Sequence, residues 1–369
     1  MEAAMHRFQT HFIPENVAPA GATHIAVLDN VVKEVGKIPL GGLAPPTGKP
    51  RLRFCVISDL HITYEGENPE REAVVKKTLE YVDADEDCAF TVVCGDLVDS
   101  GNAKSHRDNY ERIVGTAAKP VYAKPVYAIS GNHDTVWGYP TDDHMISYTG
   151  MPLYYAVANT ADTDRRIYGN ASVPDGYMLF FLGHYGKDHN LNGYWKGGEP
   201  FSAEELMWLE STMAAYPDKR RIIFIHPYIP GGAGDIDLTV TPPSRPPNLW
   251  TPSGGITTDT GADFLAILAR YPGAGVFTGH SHYRYRTQEV ESDAIIHHAV
   301  DDSYIDAHVP SLTKLRKVID GQRVDLKSGD ADYGGEGYIV DVYDDYLYLR
   351  GRDFINDKWV GIGTYLLHT

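Results

Sequence analysis

Cysteine is scarce: there are three in 369 residues, Cys55, Cys88 and Cys94, an odd number without CxxC spacing. A disulfide framework is thereby disfavoured. Two of the three sit inside apparent buried strands, so the expectation is small buried thiols in a reducing compartment. Long apolar runs are missing too, and none reaches membrane-spanning length. The opening stretch, "MEAAMHRFQTHFIPENVAPAGATHIAVLDN", lacks a basic start followed by a continuous apolar core, so no secretory signal and a cytoplasmic location are expected. Positive charge is in deficit, with 33 Lys and Arg against 50 Asp and Glu for a formal charge of −17. Such a chain repels polyanions, and the Lys and Arg spacing offers no local basic patch, which argues against a nucleic-acid polymer as partner. Repetition is confined to "KPVYAKPVYA" at Lys119, too short for a repeat architecture.

What is present is a globular composition, 43% hydrophobic and 22% charged, long enough for one large α/β domain with insertions or two ordinary ones. Residues 1–50 stand apart as an accessory β segment: "HIAVLDNVVKEVGKIPLGGL" reads as two short strands turning near Asp29-Asn30, and "APPTGKP" as a stiff linker. From Arg51 to about residue 300, apolar strands alternate with amphipathic helices, the pattern of sheets covered on both faces. Strands are expected in "RLRFCVISD", "FTVVCGD", "KPVYAISGNHD", "YMLFFLGHY", "RRIIFIHP" and "AGVFTGHSH". Helices are expected in "NPEREAVVKKTLEYV" with Asn68 as N-cap, "SHRDNYERIVGTA", "SAEELMWLESTMAAY" with a Ser202/Glu205 capping box, and "DFLAILARY". Two segments, 137–175 and 228–258, are rich in Gly, Pro and aromatics without strong periodicity, and read as irregular insertions serving as binding loops or lids. Residues 301–369 close the chain with antiparallel strands around an Asp-Asp turn in "EGYIVDVYDDYLYLRGRDF" and "KWVGIGTYLL".

Five of the expected strands end in metal-ligand side chains: "SDLH" (Asp59, His61), "GDLVD" (Asp96, Asp99), "GNHD" (Asn132, His133, Asp134), "FIHP" (His226) and "GHSH" (His280, His282). Any one of these pieces alone is more economically a turn or a satisfied histidine. In open α/β sheets, however, ligands bind beyond the carboxyl ends of the strands, so the five pieces converge on one crevice.

This ordered set resembles the calcineurin-like metallophosphoesterase superfamily over about residues 51–300. The resemblance implies a four-layer αββα sandwich of two mixed β-sheets flanked by helices, with a dinuclear metal centre. Carried over by position, it implies Asp59, His61 and His282 on one metal, Asn132, His226 and His280 on the other, and Asp96 bridging both. It makes His133 the general acid and Asp134 its orienting partner. The implied reaction is in-line attack on a small phosphate ester by a metal-bridging hydroxide. The physics is consistent with this: two cations held by a shared carboxylate clamp the attacking and leaving oxygens, and a histidine outside the ligand set protonates the leaving group. Mixed O and N ligation suits Mn, Fe, Zn or Ni.

Departures narrow the branch. Ser100 stands where the serine/threonine protein phosphatases carry Arg, and Asp134 where they carry Glu; His61 counts against the purple acid phosphatases, which place a Tyr at the position of Asp99. What remains is similar to the bacterial class of cyclic-nucleotide phosphodiesterases and broad phosphomonoesterases. The N-terminal β segment, "HVPSL" and the C-terminal strands also resemble a group of bacterial and bacteriophage phosphoesterases. The competing expectation is a metal-binding structural or interaction component of a larger assembly. Asp99 is expected either to accept from a ligand histidine or simply to stabilise its turn. Arg284 and Arg286 are read as an exposed strand rather than phosphate contacts, His184 as a core or rim histidine, and Trp137, Tyr139, Tyr154, Tyr155 and Trp250 either as a cleft lining or as loop packing.

Overall fold

Alternation along the strands dictates layers. In "LRFCVI", Phe54 and Val56 face one apolar cluster while Cys55 and Ile57 face another, all fully buried, so this strand is covered on both sides. The computed structural model describes residues 10–12, 24–27, 36–39, 48–135, 142–161, 166–185, 200–229, 231–234, 259–285, 296–299, 303–319, 322–330, 333–344 and 346–368.

In chain order the elements begin with β1 (Thr10–Phe12), β2 (His24–Val27), β3 (Gly36–Pro39), β4 (Leu52–Ile57), α1 (Pro69–Ala84), β5 (Cys88–Cys94), α2 (Lys104–Ile113) and β6 (Val126–Ile129). They continue with α3 (Asp142–Tyr148), β7 (Tyr154–Ala158), β8 (Ile167–Gly169), β9 (Tyr177–Leu182), α4 (Ala203–Ala215), β10 (Arg220–Ile225), α5 (Asp259–Arg270) and β11 (Ala274–Thr278). The last are β12 (Ile296–His298), β13 (Tyr304–His308), β14 (Arg316–Ile319), β15 (Gln322–Asp325), β16 (Glu336–Val342), β17 (Tyr346–Asp353) and β18 (Lys358–His368).

Two mixed sheets result. The first runs β3-β2-β1-β18-β17-β16-β4-β5-β6, with β4, β5 and β6 mutually parallel. The second runs β12-β13-β11-β10-β9-β7-β8, with β9, β10, β11 and β13 parallel. Between the sheets lies an aromatic core in which Phe54 stacks on Phe90 at 5.2 Å and Phe224 on Phe181 and Phe277 at 4.9 and 5.3 Å. Val75, Leu79 and Val82 of α1 and Tyr110 and Ile113 of α2 cover the outer face of the first sheet. Leu206, Leu209 and Met213 of α4 and Phe264, Ile267 and Leu268 of α5 cover that of the second. The order is helix, sheet, sheet, helix, and each such apolar side chain contributes roughly 1.5–3 kcal/mol by leaving water. All three cysteines are buried free thiols, and no described helix is long and apolar enough to cross a membrane.

Several local expectations change. Asn68 occupies the cap position of α1, but its Nδ2 donates to Thr63 Oγ1 at 3.1 Å and its side chain caps no helix N–H. The Ser202/Glu205 capping box on α4 is formed in both directions. Segment 137–175 is not an irregular insertion throughout: it supplies α3, β7 and β8, and β7 pairs antiparallel with β9. Its "YYAVA" run is short and flanked by turn residues, which hid the strand. Most of 228–258 and the turn at Asp29-Asn30 lie outside the described residues. The N-terminal strands extend the first sheet through the pairing of β1 with β18.

Candidate metal centre

The carboxyl ends of β4, β5 and β6 from one sheet and of β10 and β11 from the other meet, and the chain turns sharply at each end. Asp59, His61, Asp96, His280 and His282 all adopt positive φ, between 42° and 71°, a region that costs a non-glycine residue about 1–2 kcal/mol. Neighbouring backbone holds them there. Asp59 N donates to Gly95 O at 3.0 Å and His61 N to Asp96 O at 2.9 Å, zipping the loops after β4 and β5 together. Gly279 is required by close approach, because a Cβ there would sit 2.1 Å from Ser58 Oγ.

The expected ligands come together in two groups that share Asp96. In the first, His61 Nε2 lies 3.1 Å from His282 Nε2 and 3.4 Å from Asp96 Oδ2, and His282 Nε2 lies 2.9 Å from Asp59 Oδ1. In the second, Asn132 Oδ1 lies 3.0 Å from His226 Nε2 and 2.8 Å from His280 Nδ1, and His226 Nε2 lies 3.3 Å from Asp96 Oδ1. Each oxygen of Asp96 thus serves a different group. Two donors on one cation, each bound at about 2.1 Å, stand roughly 3–3.4 Å apart, so these spacings fit a cation within each group.

Orphaned atoms make the same point. Asp59 Oδ1 and Asp96 Oδ2 are buried outside regular hydrogen-bond geometry and face only imidazole nitrogens, His282 Nε2 at 2.9 Å and His61 Nε2 at 3.4 Å, and a buried carboxylate calls for a cationic partner. Their second oxygens are satisfied: Ser58 Oγ and His280 N donate to Asp59 Oδ2, and His133 N donates to Asp96 Oδ1. What remains bare points at the shared centre. The donors, imidazole nitrogens with amide and carboxylate oxygens, suit divalent transition cations.

Charge follows burial. Desolvation pulls His61 and His280 down to about 3, so both are neutral donors at neutral pH. Burial pulls His226 the same way, but the Asp96 carboxylate outweighs it and raises His226 to about 9. The carboxylate thus calls for positive charge at His226 Nε2, which a cation bound there would supply in place of a proton. The imidazoles are aimed from behind. His226 Nδ1 lies 2.7 Å from Cys94 O, which only accepts, so Nδ1 carries hydrogen and Nε2 faces the centre. Asp99 Oδ1 lies 3.1 Å from His61 Nδ1, as expected for this carboxylate.

His133, half-buried, packs its ring edge-on to His61 at 4.6 Å, and its Nδ1 lies 2.8 Å from Asp99 O. Asp134 departs from its expected part. Its carboxylate accepts from the backbone N–H groups of Leu97, Val98 and Gly131 at 2.7–3.1 Å. Asp134 therefore ties the "GNHD" loop to the "GDLVD" loop, while the Asp99 carbonyl orients His133. Burial, then the charge of Asp96, push the Asp134 carboxyl up.

Other candidates separate cleanly. Arg284 is half-buried with Nη2 3.4 Å from Glu336 Oε1, and Arg286 lies outside the described residues, as do Trp137, Tyr139 and Trp250. Tyr155 stacks on Phe181 at 4.6 Å in the intersheet core, and Tyr154 donates to Glu204 Oε1, so both are packing residues. His184 N donates to Ser130 O beside the "GNHD" loop. The strap after β13 was not anticipated: Ser311 Oγ donates to Asp59 O, Thr313 Oγ1 to Leu60 O, and Lys314 Nζ to Asp99 Oδ1. Tyr228 was missed as well; its ring lies 5.7 Å from that of His280.

Comparison with known proteins gives three findings. A sequence profile described as calcineurin-like phosphoesterase matches residues 52–284. Among solved structures, the chain is similar to a predicted phosphoesterase from Streptococcus pneumoniae at 8% identity and TM-score 0.35, covering 86% of this chain and 98% of that one. It is also similar to Vacuolar Protein Sorting 29 from Cryptosporidium parvum at 11% identity and TM-score 0.33, covering 86% and 96%. No curated protein matches.

Proposed function

The chain belongs to the calcineurin-like phosphoesterase family, and from that premise we propose that it is a dinuclear metal-dependent hydrolase of small phosphate esters, acting as a phosphodiesterase or phosphomonoesterase. The observation that carries this reading is Asp96, whose two oxygens face two separate donor groups. Asp59, His61 and His282 would hold one cation, Asn132, His226 and His280 the other, and Asp96 both. When bound, such a pair supplies Lewis acidity toward the phosphoryl oxygens and a nucleophilic water at neutral pH.

The remaining work falls to the chain's own residues. His133 Nδ1 gives its hydrogen to the Asp99 carbonyl, so Nε2 is the nitrogen that exchanges a proton with a substrate oxygen. Its edge-on contact with His61 puts that proton beside the Asp59 group. The leaving group therefore departs on that side. Asp134 fixes the backbone that carries both Asn132 and His133, so one loop positions a ligand and the acid together.

The test is hydrolysis of chromogenic mono- and diester substrates by Mn-loaded protein, with Asp96→Asn and His133→Ala as controls. His133→Ala should lower kcat by about 10²–10⁴-fold, most on the poorer leaving group, and Asp96→Asn should fall to background. Equal inertness of the wild type and both variants in Mn would sink the hydrolase and leave the metal-binding assembly component.

A further inference from the structure

Behind the first donor group, two side chains compete over one nitrogen of His61. His61 Nδ1 lies 3.1 Å from Asp99 Oδ1 and 3.1 Å from Lys314 Nζ, and Lys314 Nζ donates to the same Asp99 oxygen. His61 is fully buried, while the side chains of Asp99 and Lys314 are about a third and a quarter exposed. An ammonium only donates and a carboxylate only accepts, whereas imidazole Nδ1 does either. Its choice decides the far side of the ring. With hydrogen on Nδ1, given to Asp99, Nε2 turns a lone pair toward Asp59, Asp96 and His282. If Nδ1 instead accepts from Lys314, the hydrogen moves to Nε2, where Asp96 Oδ2 at 3.4 Å would receive it. That tautomer cannot ligate a cation.

Both the lysine and the carboxylates of the centre thus draw His61 toward the wrong tautomer. We propose that Asp99 and Lys314 form a tautomer selector for His61, in which Asp99 takes the Nδ1 hydrogen and simultaneously occupies the one ammonium that would otherwise donate to Nδ1. The geometry supports both halves. The backbone of Lys314 is tied to the strap by its N–H, which donates to Ser311 Oγ at 2.8 Å, and its ammonium already reaches His61 Nδ1 at 3.1 Å, so with Asp99 gone that nitrogen is the contact left to it. Arg71 adds a second cation nearby, its Nη1 at 4.0 Å from Asp99 Oδ1. Asp99 is the positioning residue, and Lys314 acts on the ring, as an antagonist, only when Asp99 is lost. The inference rests on the reading that His61 Nε2 is a metal ligand.

The experiment follows ring-nitrogen signals of ¹⁵N-histidine-labelled full-length protein, with His61 assigned by their loss in His61→Gln, before and during titration with Zn²⁺ alone. Metal-free wild type should show His61 protonated on Nδ1, and Lys314→Met should keep that tautomer and bind Zn²⁺ within about threefold of wild type. Asp99→Ala should move the hydrogen to Nε2 and weaken Zn²⁺ binding at His61 at least tenfold, within the range lost when such supporting groups are removed. Adding Lys314→Met to Asp99→Ala should recover at least threefold. A double variant as weak as Asp99→Ala, or a Lys314→Met as weak as Asp99→Ala, overturns the proposal. So does metal-free wild type with hydrogen on Nε2, a measurement that needs no variant at Asp99 to fold. Zn²⁺ that leaves the wild-type His61 signals unmoved would sink the metal centre itself, a different outcome from a wrong tautomer in its absence.

Discussion

At the residue scale, the centre is built by backbone that folds only because glycines stand next to the ligands. Gly131, between Ser130 and Asn132, passes so close to the neighbouring loop that a Cβ there would meet Asp96 Oδ1 at 2.2 Å and Asp96 N at 2.3 Å. The second contact is to backbone and cannot swing aside. Gly131→Ala should therefore displace the shared carboxylate, lowering both thermal stability, by about 1–3 kcal/mol, and kcat of the Mn-loaded protein, by at least tenfold. Gly176→Ala, where a Cβ meets nothing within 4 Å, is the control and should match wild type; parallel behaviour of the two would refute the steric account. The convergence of the candidate ligands is legible because each is a hard or borderline donor type at a strand end. Their supporting partners were less so. Asp99 reads from the sequence as a carboxylate behind a histidine or in a turn, and the family resemblance gives Asp134 to His133, whereas the turn directs the Asp134 carboxylate at three backbone N–H groups. Side-chain direction in a turn is not written in the spacing.

At the element scale, period-two alternation and strand-helix order made β4, β5, β9, β10, β11 and the β16–β18 meander readable, because each buries both faces or packs one against the other sheet. The strap that follows β13 was invisible by the same logic: "VPSLTK" has no period and no ligand type. Yet it crosses from the second sheet to the first, where Leu312 N donates to Ser58 O, and returns to the loop after β11, where Arg316 N donates to His282 O. At its root is His308, fully buried, whose Nε2 lies 2.7 Å from Tyr283 O. Burial pulls His308 from the usual 6.5 down to about 4. Below pH 6.5 the unfolded chain takes up a proton that the folded chain refuses, so this group's contribution is level above 6.5 and is lost as pH falls toward 4, by about 3 kcal/mol at most. His308→Gln keeps a donor for the Tyr283 carbonyl and removes the titration. Urea unfolding at pH 7.5 and 5 should show a smaller acid loss in the variant than in wild type, and equal losses would exclude His308 as the source.

At the scale of the whole molecule, the centre is where the two sheets are tied, since the first sheet brings Asp59, His61, Asp96 and Asn132 and the second brings His226, His280 and His282. In the unfolded chain these candidate ligands are scattered over more than two hundred residues, so cations held by them would bind the folded state almost exclusively and stabilise it by mass action. Two such sites, each at a hundredfold excess over Kd, would contribute about 5 kcal/mol together. A chain of this size has an unfolding entropy near 0.8 kcal/mol/K, so the gain corresponds to about 7 °C in Tm. Calorimetry in Mn²⁺ and again after chelation with EDTA should show that difference in wild type. With a formal charge of −17, the surface also collects divalent cations without any site, and Asp96→Asn separates the two sources. The substitution removes the ligand that both donor groups share and leaves the surface untouched. The chelator-dependent shift should therefore collapse to a degree or two in Asp96→Asn, and a shift as large as that of wild type would place the cations outside this centre.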